Sequence, residues 1–112
     1  LLHNLKASEK WVNAHLVEVV KTPKNAVVLA ISDNCKNHIM QLGENAFSCQ
    51  FHPEVCSHTL DGWMKIPGVP NFFDELSVNG LEHLTSSITA NLDTNNKASF
   101  TLFNNWCDIV FE

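Results

Sequence analysis

A chain of 112 residues with 45% hydrophobic and 17% charged content is one domain, or part of one, with enough apolar side chains for a core and too many for disorder. The formal charge of -5, with no basic stripe, argues against a nucleic-acid partner. The apolar runs fall well short of the roughly 18 residues a membrane span needs, and no basic-then-apolar leader opens the chain.

Trp11 to Val20 is rich in β-branched residues and reads as a strand, or two short ones, around His15. Pro23 punctuates a turn. Ala26 to Ser32 is a continuous apolar run of the kind that forms a strand buried on both faces. A polar turn over 33–37 leads to a short strand at His38–Leu42, and Gly43-Glu44-Asn45 turns the chain into a last strand from Ala46. Neighbours this close in sequence make part of the sheet antiparallel.

The pattern then changes to helices. Ser57 or Thr59 is placed to cap a helix carrying Leu60, Trp63 and Met64, and Pro67-Gly68-Val69-Pro70 breaks it. Phe72, Phe73 and Leu76 fit a short helix that ends before Asn79-Gly80. Leu81, Leu84, Ile88 and Leu92 recur at helical spacing. Asn95 or Asn96 is placed to cap a final helix with Phe100, Phe103, Cys107 and Val110 on one stripe, widened by Leu102 and Trp106. Four strands followed by helices describe a small sheet that lacks part of its cover.

Within this order, Gln50-Phe51-His52-Pro53-Glu54 carries the chemistry. Proline steers the residue before it away from helix, so His52 is extended, and Glu54 two residues on shares its side. An imidazole beside a carboxylate at a strand's carboxyl end is a base with its orienting acid, two parts of a catalytic triad. The bland reading of these residues alone is a turn with a surface ion pair. A zinc site from Cys49, His52, Cys56 and His58 is disfavoured, because residues 49 and 52 point to opposite faces of an extended run. No metal is expected. Cys49 packs as a small hydrophobe. Trp63, Phe72, Phe73 and Trp106 read as core, and His3, His38 and His83 have no assigned role. The irregularly spaced Cys35, Cys49, Cys56 and Cys107 are expected to be reduced thiols of a cytoplasmic protein.

The segment Gln50-Phe-His-Pro-Glu-Val55 closely resembles the histidine–glutamate motif of class I glutamine amidotransferases. The likeness extends upstream through Trp11–His15, Val28-Leu29-Ala30 with Ser32, and Asn34-Cys35 with Asn37-His38. Downstream, Thr59–Trp63 and Leu102–Trp106 look like the short, stand-alone members, some of them GMP-synthase-like. The resemblance implies an α/β, flavodoxin-like domain of which residues 1–112 are the carboxyl-terminal half, short mixed strands followed by helices. It implies that His52 is the base and Glu54 its orienter, acting on a glutamine or γ-glutamyl amide with a cysteine nucleophile. It also places Asn13, Ala14 and His15 near the substrate. No cofactor is implied; the ammonia released could pass to a synthetase partner.

Two departures stand out. The family nucleophile lies in a Gly-x-Cys-x-Gly type turn, and none of the glycines at 43, 62, 68 and 80 flanks a cysteine in that way. The acidic residue common two positions after the histidine at 15 is Val17 here. The chain, which opens Leu1-Leu2-His3, is therefore expected to lack the nucleophile-bearing half and to be silent by itself. It is expected to pair with that half or with a second copy, since a half-sheet leaves an edge and a face uncovered. The alternative is an inactive scaffold that binds or regulates through its helical tail.

Overall fold

The computed structural model describes residues 1–111. Three strands, β1 (Ala26–Ser32), β2 (Cys35–Leu42) and β3 (Ala46–Cys49), form an antiparallel sheet in the order β1-β2-β3. Ser32 pairs with Cys35 across the Asp33-Asn34 turn, and Leu42 pairs with Ala46 across a loop that Gly43 enters at φ 63°. Register shifts between Val28 and Ala30, and between Ala30 and Ser32, make β1 an irregular edge. The small α/β architecture agrees with the expected partial domain; its described strands pair antiparallel throughout.

The expected strand over 11–20 does not form. Its β-branched residues favour extended backbone, but the segment does not lie along either edge strand as a ladder, and side chains supply hydrogen bonds instead. Val19 donates its N–H to Gln50 Oε1 at 2.6 Å, and Asn37 Nδ2 donates to the Val19 carbonyl at 2.6 Å. The expectation that β1 is buried on both faces also fails. Leu29 and Ala30 reach the core, whereas Val27, Val28 and Ile31 are exposed.

Three helices follow: α1 (Ser57–Met64), α2 (Val69–Leu76) and α3 (Gly80–Phe111). The N-cap of α1 is Cys56 rather than Ser57 or Thr59; Thr59 Oγ1 accepts the Cys56 N–H at 2.9 Å from within the first turn. Gly68 turns the chain at φ 87°, and Pro70 sits in the first turn of α2, where its missing N–H costs nothing. The expected break at Asn95 or Asn96 is absent, and α3 runs unbroken for 32 residues. An asparagine caps a helix only where the backbone is free to leave it. Here Ile88, Asn95 and Leu102 recur every seven residues on one buried face, so packing holds the helix through the asparagine. The expected Phe100–Phe103 stripe is likewise corrected: Leu102 is buried, and both phenylalanines face outward.

Two clusters make up the interior. In one, Ile39, Phe51 and Leu102 are joined by Trp11, Leu29, Phe47 and Cys49. In the other, Val12, Val55 and Ile88 are joined by Leu60, Trp63, Leu84 and Leu92. No helix among the described residues is long and apolar enough to cross a membrane.

Gly80 lies where α3 starts against α2, and a Cβ there would sit 1.8 Å from the Phe73 carbonyl oxygen. Gly→Ala at an open helical site stabilises by roughly 1 kcal/mol. Gly80→Ala is expected to do the reverse, destabilising by about 1–3 kcal/mol in a urea titration.

His38 is buried, its Nδ1 has no hydrogen-bond partner, and its ring lies 5.1 Å from Phe51. Burial, and then the nearby His15, push its pKa below the ordinary value. Below about pH 6.5 the unfolded chain takes up a proton that the folded chain refuses, so stability falls as pH drops through that range. The urea midpoint is expected to fall between pH 7.5 and 5.5, and to fall less in His38→Phe; equal losses would remove His38 as a cause.

Candidate functional site

The turn Phe51–Val55 is anchored at both ends. Phe51 lies in one core cluster and Val55 in the other, each 3% exposed. Phe51 stacks on Trp11 with ring centroids 4.3 Å apart. Between these anchors the backbone is tied twice. The His52 N–H donates to the Val12 carbonyl at 2.8 Å, and Ser99 Oγ on α3 donates to the Pro53 carbonyl at 2.6 Å. The Ser99 hydroxyl also lies 2.8 Å from the Asn95 carbonyl, so its single proton is shared between two acceptors.

This frame brings His52 and Glu54 together, with Nδ1 and Oε1 2.6 Å apart. β3 ends at Cys49, so the pair forms in the turn beyond the strand. When the ring is neutral, Nδ1–H donates to the carboxylate and the Nε2 lone pair is left to take a proton. The side chains are 30% and 63% exposed. A pair this open contributes at most about 1 kcal/mol to stability, so the fold does not depend on it. Trp63 on α1 meets the His52 ring edge-on, with centroids 5.5 Å apart and planes at 76°.

Asn13, Ala14 and His15 follow directly on Val12, whose carbonyl holds His52, and all three line a cavity of about 240 Å³ against Phe72, Phe73 and Leu84. His15 Nδ1 donates to the Val17 carbonyl at 2.8 Å, which fixes its tautomer and leaves Nε2 free. On the other side, Pro53, Glu54 and Cys56 border an open apolar groove of about 770 Å³, walled by Phe47, Phe100 and Phe103.

The cysteines differ sharply. Burial, and then the charge of Glu54, push the Cys49 thiol up to about 11, which suits a packed side chain and not a nucleophile. Cys56 is exposed, and the Thr59 hydroxyl, then the backbone at His58, hold its thiol below the ordinary value. Among the described residues, no group of three or more His, Cys, Asp or Glu is gathered for a metal.

Reading the sequence missed Ser99 and the Val12 carbonyl, because a hydrogen bond formed across many residues leaves no local pattern. It placed Trp63 in the core but not against His52. The bulky indole on the first helix after the motif was the available signal.

The class-I glutamine amidotransferase family model matches residues 1–64. Over 63 residues, 55% of this chain, the sequence is 43% identical to one subunit of a glutamine-hydrolyzing GMP synthase from Sulfolobus acidocaldarius, and covers 33% of that protein. Over the same length it is 35% identical to a glutamine-hydrolyzing GMP synthase of Christiangramia forsetii, of which it covers 12%. The chain thus spans a third or less of these curated relatives. No solved structure matches it.

At pH 8, iodoacetamide is expected to label Cys56 about a hundredfold or more faster than Cys49, because only the thiolate reacts. Peptide mapping over a time course reads the ratio, and comparable rates would contradict the two environments.

Proposed function

The chain belongs to the class-I glutamine amidotransferase family, and from that premise we propose that it supplies the base and the orienting acid of a Cys–His–Glu triad. His52 is the base and Glu54 its orienter. The observation that carries this reading is the 2.6 Å contact between Nδ1 and Oε1, which leaves Nε2 free to accept a proton. The nucleophilic cysteine comes from a strand-to-helix turn outside residues 1–112, which form the carboxyl-terminal portion of the domain. The partial coverage of both relatives is in keeping with this.

The chemistry follows from those roles. His52 Nε2 takes the thiol proton, and the thiolate attacks the side-chain amide carbon of glutamine or of another γ-glutamyl substrate. The resulting imidazolium returns its proton to the departing nitrogen, the C–N bond breaks, and ammonia leaves behind a thioester. A water molecule, deprotonated by His52, then attacks the thioester and releases the carboxylate and the thiol. Asn13, Ala14 and His15 border the substrate, and the ammonia passes to a synthetase partner. The four free cysteines suit a cytoplasmic setting.

A second reading rests on the outward-facing Phe100 and Phe103: an inactive scaffold that binds a partner through α3. One experiment separates the two. In the intact protein, His52→Ala is expected to lower glutaminase turnover by about a thousandfold or more, within the scale of losing a triad member. Unchanged turnover would overturn the enzymatic reading. Residues 1–112 alone are expected to show no turnover.

A further inference from the structure

We propose that Trp63 is a positioning residue for His52: its indole confines the imidazole to the plane in which Nδ1 can meet Glu54 and Nε2 is left open. The inference rests on the triad reading for its purpose, but its physical content concerns only the His52 ring.

Glu54 is a weak orienter by itself. Its side chain is 63% exposed, so water competes for the carboxylate, and nothing in a single hydrogen bond stops the ring from rotating away. A histidine in that setting samples both neutral tautomers. The opposing wall must therefore come from a side chain that does not move. Trp63 meets that requirement, because its indole packs against the buried cluster of Val12, Val55 and Ile88. The same cluster carries the Val12 carbonyl that holds the His52 N–H at 2.8 Å. Backbone and ring are thus referenced to one rigid unit. At a centroid separation of 5.5 Å and 76° between planes, the two rings are in the edge-to-face range, so a swing of the imidazole out of its plane that broke the Glu54 contact would also break this one.

The readout is the ring nitrogens of His52, observed by long-range ¹H–¹⁵N NMR on the ¹⁵N-labelled 112-residue chain at a pH where the ring is neutral. The wild-type chain is expected to show predominantly the Nδ1–H tautomer, with nuclear Overhauser contacts between the His52 ring protons and the Trp63 indole. Trp63→Phe keeps an aromatic wall and is expected to retain that tautomer. Trp63→Leu keeps an apolar core residue but no wall, and is expected to give a mixture of tautomers. A structural role alone would leave the tautomer unchanged in any folded variant. The proposal is overturned if folded Trp63→Leu keeps the wild-type tautomer. It is equally overturned if the wild-type chain shows no contact between the two rings, a result that needs no variant to fold. Because no turnover is measured, its failure is distinct from that of the triad reading. Loss of activity in His52→Ala alongside an unaltered tautomer in Trp63→Leu would leave the orientation to Glu54 alone.

Discussion

Everything at the candidate site depends on the double anchoring of one short turn. Phe51 enters one hydrophobic cluster and Val55 the other, so the three residues between them are held by burial on both sides. Each fully buried apolar side chain is worth about 1.5–3 kcal/mol, far more than the exposed ion pair it positions. The backbone bonds from His52 to Val12 and from Ser99 to Pro53 then remove the remaining freedom. The imidazole–carboxylate contact is thus a result of the fold and not one of its supports.

The same anchoring joins parts of the chain that would otherwise have little in common. The sheet contributes Ile39 and Phe47 to the Phe51 cluster, and the helices contribute Leu60, Leu84 and Ile88 to the Val55 cluster. α3 serves both, through Ile88 in one and Leu102 in the other, and it places Ser99 between them on the turn. A helix broken at Asn95 could not do this, because its two halves would not share one axis.

What the fold leaves open is as informative as what it buries. Val27, Val28 and Ile31 on β1, and Phe100 and Phe103 on α3, are large apolar side chains facing outward. β3 is an edge strand, paired with β2 alone among the described strands. Isolated exposed apolar residues are ordinary, but Phe100 and Phe103 border a groove that also contains Glu54, so the uncovered surface of α3 and the candidate site adjoin.

The sequence alone determined what depends on local chemistry. A continuous apolar run placed β1, turn residues placed the Gly43–Asn45 loop and the break at Pro67-Gly68, and helical spacing placed Leu84, Ile88 and Leu92 on a common face. The His-Pro-Glu spacing made the His52–Glu54 pair legible, because proline restricts the backbone and two residues span only a short distance. Tertiary structure decided the rest. Whether Trp11–Val20 forms a strand depends on whether it comes to lie along a sheet edge, and the side chains of Gln50 and Asn37 bond its backbone instead. Whether Asn95 caps a helix or lies inside one depends on the packing of Ile88 and Leu102. Which aromatic ring stands against His52 depends on how α1 docks on Val12 and Val55. Each of these outcomes joins residues far apart in the chain, and local preference, worth a few tenths of a kcal/mol to about 1 kcal/mol per residue, gives way to burial that is worth more.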